Sequence, residues 1–377
     1  GDILSIAQIK EQFDSHIDLS KIDPANNKFW QDTDLRSNTV SDPLLHQKMP
    51  SDKDILVYNS FAGVVRPIGM YAIYVHGDKD PQKQIYRLKS GFQVHASLLK
   101  AALLRKIGIF QEAPKYMNSV RLKFSSLEEL NGFILQAFCG KDPTEEAIAC
   151  LPIDPQMNGY LSEKNEFDLT ILVHGSYLEK LNPEVPNLFD GITPSTMNNV
   201  SLYAQSRAYR ALIAPYLVAD IGESINRFST QAAAVRGGVA YLNYFFSSDF
   251  NNLTTADDVR WILRKMAELT AQDWDDIVTA AAYPQQLKEL VKTKVLLRYK
   301  NMIETFFDAR ESEELLGQIK IRKLKEINSS DGIVVKGRVM REKLAGYPQR
   351  FSHGDRKSPF ESGDFLKLLN VKTQSVL

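Results

Sequence analysis

Cysteine is nearly missing from this chain: Cys139 and Cys150, eleven positions apart, are the only two among 377 residues. Neither belongs to a CxxC pair, which argues against a zinc site built on cysteine. Two buried thiols and one disulfide both stay open. The six histidines are scattered and form no HExxH, so the ligands of a zincin-type site are lacking. No Walker A loop, GxGxxG fingerprint or GxSxG elbow occurs, which leaves P-loop, Rossmann and nucleophile-elbow chemistry without their motifs. No apolar run approaches the roughly 18 residues that a membrane span needs. Excess charge is missing too: Lys+Arg and Asp+Glu both total 46, so nothing demands a nucleic acid or an anionic membrane as partner. No internal repeat and no low-complexity tract is present.

What the chain does have is apolar content, 44% of its residues, enough for a large core in one or two domains. Residues 1–60 are polar and irregular and read as an arm. Sheet character begins in "GVVRPIGMYAIYVHGDKDPQKQIYRLKSG". Residues 70–76 and 85–89 are strand-like around the turn chemistry of "GDKDPQ". "FQVHASLLKAALLRKIGIF" places Val94, Leu98, Leu99, Ala102 and Leu103 at helical spacing, predicting a helix over 92–107. "SVRLKF" reads as a strand, "SSLEELNGFILQAF" as a helix, and "FDLTILVHGSYL" contains another strand. The stretch "YLVADIGESI" reads as a short buried strand running into Asp220. Pro215 just ahead of it argues against a helix interior.

From 254 onward the pattern is helical. Thr255 with Asp258, and Thr270 with Asp273, have the spacing of capping boxes, and Pro284 opens a long third helix. Residues 317–340 return to strand character around "NSSDG". The whole is α+β with segregated layers: an arm over 1–60, a β-rich front over 61–140, a mainly helical part over 141–310 and an extension over 311–377.

The residues that could carry chemistry are Lys89, at the end of a strand ahead of a helix, Asp190 in "NLFDGITPSTMNN", the pair Asn198 and Asn199, and Asp220 before Ile-Gly. Phosphoryl transfer needs a strand lysine for the phosphates, an acid that positions the acceptor hydroxyl, and an Asn and a second Asp on Mg²⁺. The chain offers these types in nearly that order.

Three segments carry a resemblance. "YRLKSGFQVHASLLKAALLRKIGI", "LVADIGESI" and "TTADDVRWILRKMAELTAQDWDDIVTAAAYP" resemble a proteobacterial family of kinase-like proteins, distantly similar in fold to the CotH and HipA kinases. The matches are patchy over roughly 60–310. The resemblance implies a two-lobe kinase-like fold, with a β-rich N-terminal lobe and a helical C-terminal lobe, that binds ATP and Mg²⁺ between the lobes. It also implies that Lys89 meets the phosphates, Asp190 is the catalytic acid, and Asn198 or Asn199 joins Asp220 on the metal. The chain departs from the pattern in several places. Asp190 and Asn198 are eight apart where a kinase loop has five. Gln93 replaces an acid, the helix 92–107 holds no Glu or Asp, and "FAGVVRPIG" is the nearest substitute for a Gly-rich loop. The expectation is therefore an ATP phosphotransferase with an unknown acceptor, or a degenerate pseudokinase that binds a ligand or a protein partner.

An interaction protein without a nucleotide site is the reading from a different class, resting on "YLNYFF" and on Arg260-Trp261, although core packing is the favoured reading of both. His95 and His174 are acid–base candidates or core histidines. Arg236-Gly237-Gly238 is either a hairpin turn or a close approach to a ligand. The chain opens on Gly1-Asp2 without Met. That start reads as cut or tagged, leaves room for a removed targeting signal, and favours an extracytoplasmic location as the expectation.

Overall fold

The computed structural model describes residues 49–65, 70–91, 94–109, 112–139, 161–165, 168–181, 211–219, 233–236, 239–242 and 256–317, together with 319 and 321. In chain order its elements are β1 (Ile55–Val65), β2 (Met70–Gly77), β3 (Tyr86–Gly91), α1 (Val94–Lys106), β4 (Lys115–Lys123), α2 (Leu127–Ile134), β5 (Leu161–Asn165) and β6 (Thr170–Lys180). There follow α3 (Ile213–Ala219), β7 (Ala233–Arg236), β8 (Val239–Leu242), α4 (Ala256–Ala267), α5 (Ala271–Ala280), α6 (Gln285–Phe306) and α7 (Ala309–Leu316).

The expected hairpin is β2–β3, antiparallel from Met70 opposite Gly91 to Val75 opposite Tyr86. The sheet does not stop there. Six strands run in the order β3-β2-β1-β4-β6-β5, and β3 also pairs with β6, which closes a barrel. Closure is made possible by the length of β6. One edge of it meets β4, while the other meets β5 near its start and β3 near its end. Only β1 and β4 run parallel, because α1 carries the chain back across between β3 and β4. Leu56, Ile73, Val75, Leu88, Val120, Leu122, Val173 and Leu178 fill the interior, and α2 adds Leu130, Phe133 and Ile134 to the same cluster. Closing the barrel pairs edges that would otherwise expose unpaired backbone.

A second core lies among the helices. Helix α1 is buried along its whole length, as expected of a helix that packs on every side: against β3 and β6 on one flank and against α3 and α5 on the other. Its basic residues are accommodated individually. Lys106 bonds Asp273 at 2.9 Å and Asp276 at 3.2 Å. Burial opposes the Lys106 charge, but these two carboxylates outweigh it and raise the pKa. Helix α5 begins at a capping box in which Thr270 and Asp273 satisfy each other's backbone N–H, as the sequence predicts. Of the other expected box, Thr255 lies outside the described residues. Pro284 is the N-cap of α6. The third helix is shorter than expected, because Phe307 is extended and Asp308 caps the separate α7.

One expectation is overturned. The apolar run before Asp220 is helix α3, not a strand, and Pro215 is its third residue. A proline is tolerated there because N–H groups in the first turn have no intrahelical acceptor. β1, moreover, begins inside the stretch that reads as an arm, and β5 lies inside the part that reads as mainly helical. The two strands β7 and β8 pair with Arg236 opposite Val239, as the hairpin reading requires. Trp261 is core. Among the described residues no helix is long and apolar enough to cross a membrane. The architecture is mixed α+β: a barrel formed by the sheet in front, helices behind.

Candidate functional site

Lys89 sits near the end of β3, opposite Ala72 of β2 and Tyr177 of β6. Side chains alternate along a strand. Tyr86 and Leu88 belong to the barrel interior, so Arg87 and Lys89 lie on the outer face. On β6, Leu178 points inward while Tyr177 belongs to the helical core. Residues opposite one another in an antiparallel pair share a face, which brings Arg87, Lys89, Tyr177 and Glu179 together beneath the helices. Lys89 retains only 6% of its exposure. Its ammonium lies 5.9 Å from the centroid of the Tyr177 ring, within cation–π range.

Glu179, directly opposite Arg87, forms an ion pair with it. Burial pushes the Lys89 ammonium down to about 7; the Glu179 carboxylate acts to raise it, and the Arg87 guanidinium to lower it. The Tyr177 phenol is pushed well up by burial and then by Glu179, with Arg87 and a hydrogen bond to Ser97 on α1 acting the other way. The lysine's charge thus reflects lost hydration above all, with the Glu179 carboxylate and the Arg87 guanidinium acting in opposite directions.

Basic side chains continue away from Lys89. On α1, Lys100 lies 5.7 Å from the centroid of the Tyr216 ring on α3. Arg298 of α6 donates from Nε to the Leu217 carbonyl at 2.6 Å. One turn before it on α6, Lys294 is pushed down to about 7, first by burial and then by Arg298. Lys100 and Arg298 thus contact α3, the element that ends at Ala219, next to Asp220 in sequence.

Of the residues expected to do chemistry, the structure describes Lys89. Asp190, Asn198, Asn199 and Asp220 lie outside the described residues. Among the described residues no group of three or more His, Cys, Asp or Glu side chains is arranged to hold a metal ion. His95 is a core histidine. Its Nδ1 is 2.8 Å from the Ala281 carbonyl and its ring lies against Tyr116 and Tyr283.

Sequence reasoning did not find Glu179, Arg87, Lys294 or Arg298. For the last two a signal exists: Leu287, Val291, Lys294, Arg298 and Met302 form one helical stripe, and two cations inside an apolar stripe mark buried charge. For Arg87 and Glu179 there is none, because a partner 92 residues away follows only from the β3–β6 register.

Comparison with family models, with curated proteins and with solved structures gives no match.

Proposed function

We propose that the protein is kinase-like and binds a nucleotide between its barrel and its helices, with Lys89 on the phosphates. One observation carries this reading: a buried lysine stands on the third strand of the sheet, just ahead of α1, on the face that the strand turns to the helices. That is the station from which phosphoryl-transfer enzymes of the kinase class reach the phosphates. Lys89 fits the group, since an anion there would restore the charge that burial weakens. In this reading Asp190 positions the hydroxyl of an unknown acceptor, and Asn198 or Asn199 joins Asp220 on Mg²⁺. The metal would neutralise charge on the transferring phosphoryl group. Two-lobe architecture belongs to the same proposal.

A second reading keeps the nucleotide and drops catalysis, leaving a pseudokinase that acts as a ligand- or protein-binding module. It is favoured by α1, which contains no acid and is buried on every side. A helix so enclosed exposes apolar surface if it moves, whereas kinase activation depends on repositioning that helix and its glutamate.

The test is a thermal-shift titration with ATP, with and without Mg²⁺ or Mn²⁺. A ligand that binds only the folded state raises the Tm by mass action. The expected result is a metal-dependent rise that Lys89→Ala weakens and Asp220→Ala abolishes. Release of ADP under the same conditions separates the transferase from the binding module. No rise at millimolar ATP would overturn the nucleotide site and leave the degenerate reading as a protein-binding module.

A further inference from the structure

We infer that α1 is latched to α5 at both of its ends and moves as part of the helical body, although the chain threads it between two strands of the barrel. The inference goes beyond the nucleotide reading and does not depend on it.

The two ends are tied by different chemistry. His95, the second residue of α1, places Nδ1 2.8 Å from the carbonyl of Ala281, the C-cap of α5. Lys106, the last residue of α1, donates from Nζ to Asp273 at 2.9 Å and to Asp276 at 3.2 Å, near the start of α5. The start of each helix thus meets the end of the other, and the helices run antiparallel. Along α1 the two ties stand about 16 Å apart. Between them, Leu98, Leu99 and Leu103 share one apolar cluster with Trp274, Ile277 and Val278 of α5, and no residue of α1 belongs to the cluster that fills the barrel.

The chain stays with the helices as it leaves α1. Gly108 donates its N–H to the Arg105 carbonyl at 3.2 Å, and Ile109 to that of Leu104 at 2.9 Å, the two bonds of a Schellman motif. Gly108 has φ 102°, which glycine adopts without strain, and Ile109 continues into the helical core.

The Lys106 tie also depends on the cap of α5. One oxygen of Asp273 accepts from the Thr270 N–H at 2.8 Å and from the Thr270 hydroxyl at 2.7 Å, while the other meets Lys106. The capping box therefore aims the carboxylate that α1 grips. The ammonium end of α1 lies at its own negative pole and faces acids at the positive pole of α5, so both macrodipoles favour the contact. A ligand that draws barrel and helices together then shifts the barrel strands over α1 and leaves the α1–α5 contact in place.

The test is native-state hydrogen exchange of the full chain, followed by mass spectrometry at urea concentrations below the unfolding transition. Elements that open together show one opening free energy and one urea dependence. Peptides from α1 are expected to share both with α5 and to differ from those of β3 and β4. This measurement needs no variant, so it decides the matter even where a substitution prevents folding. Lys106→Met then breaks the latch without stranding a buried charge, because the two carboxylates, 26% and 37% exposed, can hydrate. Protection should fall by about tenfold across α1 and α5 together and stay within about twofold of the parent in β2 and β3. Asp276→Asn, which leaves the capping box whole, should move the same peptides by less.

Exchange of α1 with β3 and β4 rather than with α5 overturns the inference, and so does a single opening shared by barrel and helices. A Lys106→Met variant whose loss is absent, confined to α1 or spread evenly over the barrel overturns it as well.

Discussion

Arg298 on α6 donates from Nε to the carbonyl of Leu217 in the last turn of α3, across 2.6 Å, with its guanidinium sealed from solvent. Carbonyls in the last turn of a helix have no intrahelical partner, and a cation there also complements the helix dipole. Arg298 therefore caps α3 from outside. It ties the longest helix to the element that leads into Asp220.

Replacing Arg298 by Met strands a buried carbonyl. The expected loss is about 1–3 kcal/mol of unfolding free energy, read from urea denaturation at pH 7. Arg298→Lys keeps a charge but not the planar fork that aims Nε at the oxygen, and should recover less than half of that loss. A Met variant as stable as the parent would show that the contact contributes nothing.

His95 gives a pH dependence whose sign can be worked out. Burial pushes its imidazole down to about 4 from an ordinary 6.5, with the bond to Ala281 acting weakly upward. The native state holds it neutral, and the unfolded chain binds the proton first. The stability that His95 contributes is therefore complete above pH 6.5 and is lost as pH falls toward 4. At about 1.4 kcal/mol per unit this is on the order of 3 kcal/mol. His95→Gln has no proton to take up. Between pH 7 and pH 4.5 the variant should lose about 2 kcal/mol less than the parent, measured as the difference between two urea series. Parallel losses would mean that His95 is not neutral in the fold.

The difference between what these residues reveal in sequence and in structure has a physical cause. The β2–β3 hairpin and α1 are legible because their determinants are local: a turn cluster in one case, apolar spacing in the other. β1 is not. Its register with β2 breaks between Tyr58 and Ser60 and again between Phe61 and Gly63, and each bulge shifts the alternation that would betray a strand. Pro215 misleads because the rule against proline in helices lapses in the first turn. At the site, Lys89 is legible from its place between strand and helix. The Arg87–Glu179 ion pair beside it is not, because the barrel closes between β3 and β6, and nothing along the chain announces which two strands will meet.

Lys294 shows the same linkage as His95, in a window that begins at neutral pH, so at pH 7 it lowers stability. It sits in the apolar stripe of α6 and is 4% exposed, and its ammonium falls from an ordinary 10.5 to about 7, through burial first and Arg298 second. Below pH 7 the fold must hold the charged form, and the unfolded chain, hydrated, is favoured by comparison. As pH rises from 7 toward 10.5 the native state is already neutral while the unfolded chain still binds the proton, so stability from this group rises with pH. At about 1.4 kcal/mol per unit the full span is on the order of 5 kcal/mol. Lys294→Met fills a similar volume without a charge to desolvate. It should be more stable than the parent at pH 7, with the advantage shrinking steadily toward pH 10. Urea denaturation of both proteins at four or five pH values reads this directly. A Met variant less stable than the parent at pH 7 would mean that partners of Lys294 more than offset its desolvation. A gain that shrinks with pH would show that packing alone does not account for a lysine at this position, one turn from the residue that caps α3.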